Sequence, residues 1–204
     1  MDLPAALLSA DVQGVVFALA ALGLLALARK LPWRELAGGV HLNLLLGFAV
    51  CLTLIWSMKA GVKPGLNLHL LGAMAATLAL GPWKAIAALA LALCGITLNG
   101  ALEWGDWPAN FVLMVLVPVS VASGLHRLIE RLLPAHFFIF IFVTGFAGSA
   151  LTAIAQGLTA SSVLALSGAY SADFLWSDYL PFFLLLGFSE GWISGAIITL
   201  MVVY

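Results

Sequence analysis

Long uncharged apolar runs, broken by short gaps that hold nearly all the ionisable residues, are the governing pattern of this chain. A run of about 17 to 25 apolar residues is long enough to cross a bilayer as a helix. The pattern yields about seven such runs, near 12–28, 42–58, 66–82, 85–102, 109–126, 136–158 and 179–204. Each is read as a helix, because backbone amides in hydrocarbon must find partners within their own segment and no run alternates with the period of two that a barrel strand requires. Pro32, Pro64, Pro82, Pro108, Pro134 and Pro181 fall at or near the ends of the runs, where a missing amide proton costs little. Pro118 lies inside the fifth run and predicts a kink there. The expectation is an all-α polytopic membrane protein, with residues 1–204 forming one membrane-embedded domain.

Composition strengthens that expectation: 64% of the residues are hydrophobic, 8% are charged, and the mean hydropathy is +1.15, outside the range of a soluble domain. A net charge of −1 with no stripe of Lys and Arg excludes nucleic acid as a partner. Cys51 and Cys94 both sit within apolar runs, where a thiol packs as a small hydrophobe rather than forming a disulfide or metal motif.

Basic residues set the orientation, since Lys and Arg are retained on the cytoplasmic side. Arg29, Lys30 and Arg34 follow the first run, Lys84 lies in the third connection, and Arg127 and Arg131 follow the fifth, all on one side. The other side carries Lys59 and Lys63 together with Asp2, Asp11, Glu103, Asp106, Asp173 and Asp178. An external N-terminus and a cytoplasmic C-terminus are therefore expected. No basic residue precedes the first run, the wrong polarity for a cleaved secretory signal, so Met1 and Asp2 are expected in the mature chain. The connection from 159 to 178, rich in Ser, Ala and Leu, is expected to fold as an external re-entrant or interfacial segment. No Walker-type phosphate loop is present, so any ATP hydrolysis by that route belongs to another subunit.

Polar groups inside a membrane are costly to bury and mark candidate sites. His69 opens the third run from the outer side. It is read two ways, as a histidine bridging helices or as a metal ligand, imidazole being a common donor to Ni, Co, Cu and Zn. The topology brings Met1 and Asp2 to the same side. A terminal amine, a backbone amide, the Asp2 carboxylate and the His69 imidazole make a mixed nitrogen and oxygen set suited to a late first-row divalent ion.

Glu190 lies beside a seam of Gly187, Gly191 and Gly195, which recur every four residues and let another helix approach. It is read as a carboxyl fixing helix contacts or as a group on an ion path or subunit contact. Asn99 and Asn110 flank the acidic stretch from Glu103 to Pro108, whose acids are loop residues able to attract a cation. His41, His126 and His136 fall near the cytoplasmic side and are read as structural or interfacial. No Ser, His and Asp share a depth, and no His-Glu-x-x-His occurs, so an enzyme is not expected.

Four stretches carry a family likeness. The opening Met1-Asp-Leu-Pro-Ala-Ala-Leu-Leu-Ser9, the segment from His69-Leu-Leu-Gly-Ala to Leu80-Gly-Pro82, Trp107-Pro-Ala-Asn110-Phe-Val-Leu-Met114 and Glu190-Gly-Trp-Ile-Ser-Gly195 occur in that order along almost the whole chain. They resemble the membrane-embedded substrate-capture subunits of energy-coupling factor transporters for cobalt and nickel. The resemblance implies seven helices with an external N-terminus in the bacterial cytoplasmic membrane. It also implies that the tail threads into the bundle, where the Met1 amine, the amide and side chain of residue 2, and His69 hold the ion in a square plane.

Asp2 departs from the family's histidine and exchanges a nitrogen donor for a harder oxygen. The implied cargo is Co, Ni or Zn, with no prosthetic group, and the implied partners are a transmembrane coupling subunit and ATPase subunits. Two other functions stay open on the residues alone: a permease for another solute, and a non-transporting scaffold or sensor that has lost the ion.

Overall fold

The computed structural model describes residues 3–61, 63 and 66–203. Among these, seven helical segments carry the fold: α1 (Ala10–Lys30), α2 (Val40–Ser57), α3 (Ala73–Leu80), α4 (Pro82–Leu98), α5 (Trp104–Leu132), α6 (Ile139–Leu166) and α7 (Ala172–Val203). A 3-10 turn at Ala5–Leu7 precedes α1, and one short turn, Trp33–Leu36, links α1 to α2. The two-residue strands β1 (Ala60–Gly61) and β2 (Asn67–Leu68) pair antiparallel. This is an all-α polytopic membrane protein. Five helices, α1, α2, α5, α6 and α7, are long and apolar enough to cross a membrane, and α4 is apolar with 17 residues.

The third expected span differs most from its prediction. Its helix α3 has only 8 residues, about 12 Å at 1.5 Å per residue and less than half of a hydrocarbon core. The preceding residues, 66–72, form a non-helical lead-in. The switch occurs at Gly72, whose φ of +67° and ψ of 11° lie in the left-handed region that favours glycine. Without the tertiary partners described below, an apolar run such as 66–82 reads as continuous helix.

The expected re-entrant connection at 159–178 is corrected by the structure. α6 continues through Leu166 and α7 begins at Ala172, leaving a short link. Ala, Leu and Ser sustain the helix there, and the Thr159 and Ser162 hydroxyls donate to the Ala155 and Leu158 carbonyls one turn back. Gly168, with φ +69°, falls in the link itself.

Pro118 and Pro181 share one local solution. Each stands one residue beyond the residue that closes a π-helical turn: Phe111–Leu116 is closed by the Val117 amide on the Val112 carbonyl, and Leu175–Tyr179 by the Leu180 amide on the Leu175 carbonyl. A proline ring clashes with the carbonyl four residues back, and the wider winding displaces that carbonyl. Pro181 thus lies inside α7 rather than near its start, as the apolar pattern had suggested. A third π turn, Ile139–Ala147, has no proline behind it.

Packing follows the small residues. α6 and α7 run together along the predicted glycine seam, where a Cβ on Gly187 or Gly191 would lie 3.0 Å from the Ala150 or Phe146 carbonyl oxygen. The largest core cluster joins Leu3, Trp56, Leu66, Leu71, Leu93, Phe111, Leu113, Tyr179 and Phe183.

At one end of the bundle the Lys59 Nζ donates to the Ala101 carbonyl at 3.1 Å and the Lys63 Nζ lies 3.9 Å from the Phe174 ring centre. At the other, Lys84 and Glu35 form an ion pair at 2.9 Å and Lys30 lies over Trp83. The Lys84 ammonium holds the Glu35 carboxyl below the usual carboxylate range. Lys59 and Lys63 thus fall in one end group and Lys30, Glu35 and Lys84 in the other, as the pattern of runs requires, whereas Glu190 is buried within the bundle.

Candidate functional site

The N-terminal tail enters the bundle and is held by the start of α5. Leu3 is fully buried, and its amide donates to Asn110 Oδ1 at 2.8 Å while Asn110 Nδ2 donates to the Leu3 carbonyl at 2.9 Å. Asn110 Nδ2 also donates to the Asp106 carbonyl at 2.9 Å, and Asp106 Oδ1 accepts from the Ala5 amide at 2.7 Å. Asn110, itself completely buried, thereby satisfies two backbone groups of Leu3 that would otherwise face an apolar core. Gln13 completes the anchorage from α1 by donating to the Ala5 and Leu8 carbonyls.

His69 sits in the lead-in before α3 and is 4% exposed. Its ring lies against Trp56 of α2, centroids 5.4 Å apart, and its Nδ1 is 3.0 Å from the Leu70 carbonyl oxygen. A carbonyl only accepts, so Nδ1 carries the hydrogen and the lone pair of the neutral ring resides on Nε2. Trp56 Nε1 in turn donates to the Leu71 carbonyl at 3.3 Å.

Glu190 of α7 reaches the same lead-in. Its Oε2 accepts from the Leu71 amide at 2.8 Å, and its Oε1 accepts from the Gly72 amide at 2.6 Å and from Ser194 Oγ at 3.2 Å.

Tail and lead-in meet at one end of the molecule. Pro4, Ala6, Lys59, Asn67, Ala101, Glu103 and Asp106 line a single cavity of about 410 Å³ there, and Asn67 is two residues before His69. Of the residues singled out from the sequence, His69, Asn110 and Glu190 are placed around this end and the lead-in. Met1 and Asp2 lie outside the described residues. Among the described residues, no group of three or more His, Cys, Asp or Glu gathers as a metal cluster.

His126 lies 3.5 Å from Glu130, one turn along α5 and away from the lead-in. Two participants escaped the sequence reading. Trp56 has nothing in its spacing to separate it from six other tryptophans, and Asp106, read as a loop acid, is a backbone acceptor for the tail.

The sequence profile of the CbiM family, described as the cobalt uptake substrate-specific transmembrane region, matches residues 2–204. The chain belongs to the CbiM family. As a CbiM member it is a transmembrane component of metal uptake. Two solved structures resemble it closely in fold. One, described as a truncated transition metal transporter, is 21% identical with a TM-score of 0.79, and the match covers 99% of this chain and 98% of that one. The other, described as a transition metal transporter, is 20% identical with a TM-score of 0.81, covering 98% and 92%. No curated protein matches this CbiM chain in sequence.

Proposed function

We propose that this CbiM protein captures a divalent transition metal ion, Co, Ni or Zn, from the outer side of the bacterial cytoplasmic membrane. In this reading it acts as one membrane-embedded domain, the substrate-binding subunit of an energy-coupling factor transporter. The Met1 amine, the Asp2 amide and carboxylate, and His69 Nε2 supply the donors. The observation that carries the reading is the double hydrogen bond between Asn110 and Leu3, which draws the tail into the bundle at the end where His69 stands. Anchoring the tail at Leu3 reduces the ordering that ion binding must impose, and a smaller ordering cost raises affinity.

The donor set suits a borderline ion. Nitrogen donors favour Ni, Co and Zn, and the Asp2 oxygen weakens the preference for Ni within that group. Asp106 and Glu103 at the rim place negative charge where a cation arrives. Transport to the other side is assigned to a coupling subunit and ATPase subunits, with the bundle acting as the capture module.

The test is the metal content of the purified protein, compared between the native chain and the variants Asp2→Ala and His69→Ala. Stoichiometric metal in the native chain and its loss from both variants is the expected result. Metal that is absent throughout, or unaffected by either change, removes the proposal. A residue added before Met1 should abolish binding, and retained stoichiometric binding would rule out the amine as a donor.

A further inference from the structure

Resting on the capture reading above, we infer that Glu190 is a positioning residue for the metal site: from the last helix it clamps the lead-in that carries His69. The break at Gly72 exposes a structural problem. A helix leaves its first amides without internal partners, and in a bilayer no water takes their place. At the break before α3, the Leu71 and Gly72 amides both point at one carboxyl group, at 2.8 and 2.6 Å. Two acceptor oxygens on one planar group are what two consecutive amides require. A glutamine offers a single acceptor, and its NH2 group opposes the second amide. The positive end of the α3 dipole faces the same group.

Leu71 is held from both sides. Its amide is bound by Glu190 of α7 and its carbonyl by Trp56 of α2. The Trp56 ring also carries the imidazole of His69, two residues upstream. His69 is therefore mounted on a segment that, among the described residues, is paired as a ladder at Asn67–Leu68, and whose exit is fixed by a side chain 119 positions away in sequence.

A cavity of about 60 Å³ between α2 and α7, lined by Leu52, Leu70, Gly72, Glu190 and Ser194 among others, lies beside the clamp. It provides the room into which the lead-in can settle once the carboxyl is removed. Metal bonds tolerate displacements of only about 0.2 Å. A shift of the lead-in thus reaches the ion through the imidazole, although Glu190 itself touches no metal.

The experiment titrates NiCl2 and CoCl2 into the full chain in detergent, following the d–d absorption bands and the bound stoichiometry, for the native protein, Glu190→Gln, Ser194→Ala and His69→Ala. Glu190→Gln should lower affinity by about 10- to 100-fold, the range of a lost supporting contact, and should move the ligand-field band of whatever metal still binds. Ser194→Ala, which removes one donor from Oε1 and leaves the carboxyl in place, should move both in the same direction by less. His69→Ala should abolish binding.

Native affinity and an unmoved band in Glu190→Gln, even with a lower unfolding temperature, would reduce Glu190 to a fold contact and overturn the inference while the capture reading stands. Should Glu190→Gln fail to fold, an unmoved band and affinity in Ser194→Ala overturns it instead. If His69→Ala binds metal as the native chain does, the capture reading itself falls and the inference falls with it.

Discussion

Asn110 grips Leu3 by both backbone edges, accepting from its amide at 2.8 Å and donating to its carbonyl at 2.9 Å across 107 positions of sequence. A side-chain amide in this role replaces the strand partner that the tail lacks. Asn110→Ala leaves the amide and carbonyl of Leu3 buried without partners, at about 1 to 3 kcal/mol for each unsatisfied group. The expected outcome is a chain that retains its helices by circular dichroism but binds metal at least about 10-fold more weakly, since 1.4 kcal/mol is a factor of ten. Native affinity in Asn110→Ala would show that the tail finds its place without this grip.

Gly72 carries the turn into α3 at φ +67°, and a Cβ there would lie 2.6 Å from Leu52 Cδ2. Gly72→Ala therefore costs roughly 1 to 2 kcal/mol from the left-handed conformation alone, with a further cost if the Leu52 side chain cannot yield. The unfolding temperature in detergent should fall accordingly. An unchanged value would mean that the lead-in adopts another backbone path at no cost.

At the far end of the α6 and α7 seam, Gly157 lies directly beneath the Phe183 ring, which is fully buried. Gly157→Ala forces the ring to move, an overpacking cost of about 1 to 3 kcal/mol. Phe183→Leu makes room for the added methyl group, so the double variant should lose less stability than the two single variants summed. Simple additivity would place the strain elsewhere.

The Lys84 and Glu35 pair predicts a pH dependence at the opposite end of the bundle. Because the folded chain holds the Glu35 carboxyl below its usual range, the pair stabilises the protein above the ordinary carboxylate value. That contribution fades as the pH falls through the lowered one. Glu35→Gln should therefore lower the unfolding temperature slightly at neutral pH and make no difference in strong acid. The neutral-pH difference should shrink with added salt, since the Glu35 carboxylate is exposed. A difference that is constant across the titration would refute the assignment.

The five long helices were legible in the sequence because lipid leaves a backbone few choices: an uncharged run of sufficient length must be helical. The third span was not, since its apolar residues are as suited to helix as those of any other run. What breaks it is Gly72 together with amide acceptors from Glu190, and neither the positive φ nor a contact over 118 positions leaves a local trace. Asn110 and Glu190 stood out as polar residues in or beside apolar runs, which flagged them without showing their partners. The length of α6 is not legible in composition, because serines 161, 162 and 167 resemble a loop, whereas in the structure Ser162 turns its hydroxyl back onto its own helix.

The distance between the α3 break and its carboxyl partner also bears on how the molecule is made. A translocon releases segments into lipid in the order of their synthesis, and α3 is too short to be released as a spanning unit. The Leu71 and Gly72 amides acquire their acceptor only after the ribosome has passed residue 190, more than a hundred residues later. The region bearing His69 therefore takes its final form only after α7 has been made, and a nascent chain cut short before α7 would leave it unsealed.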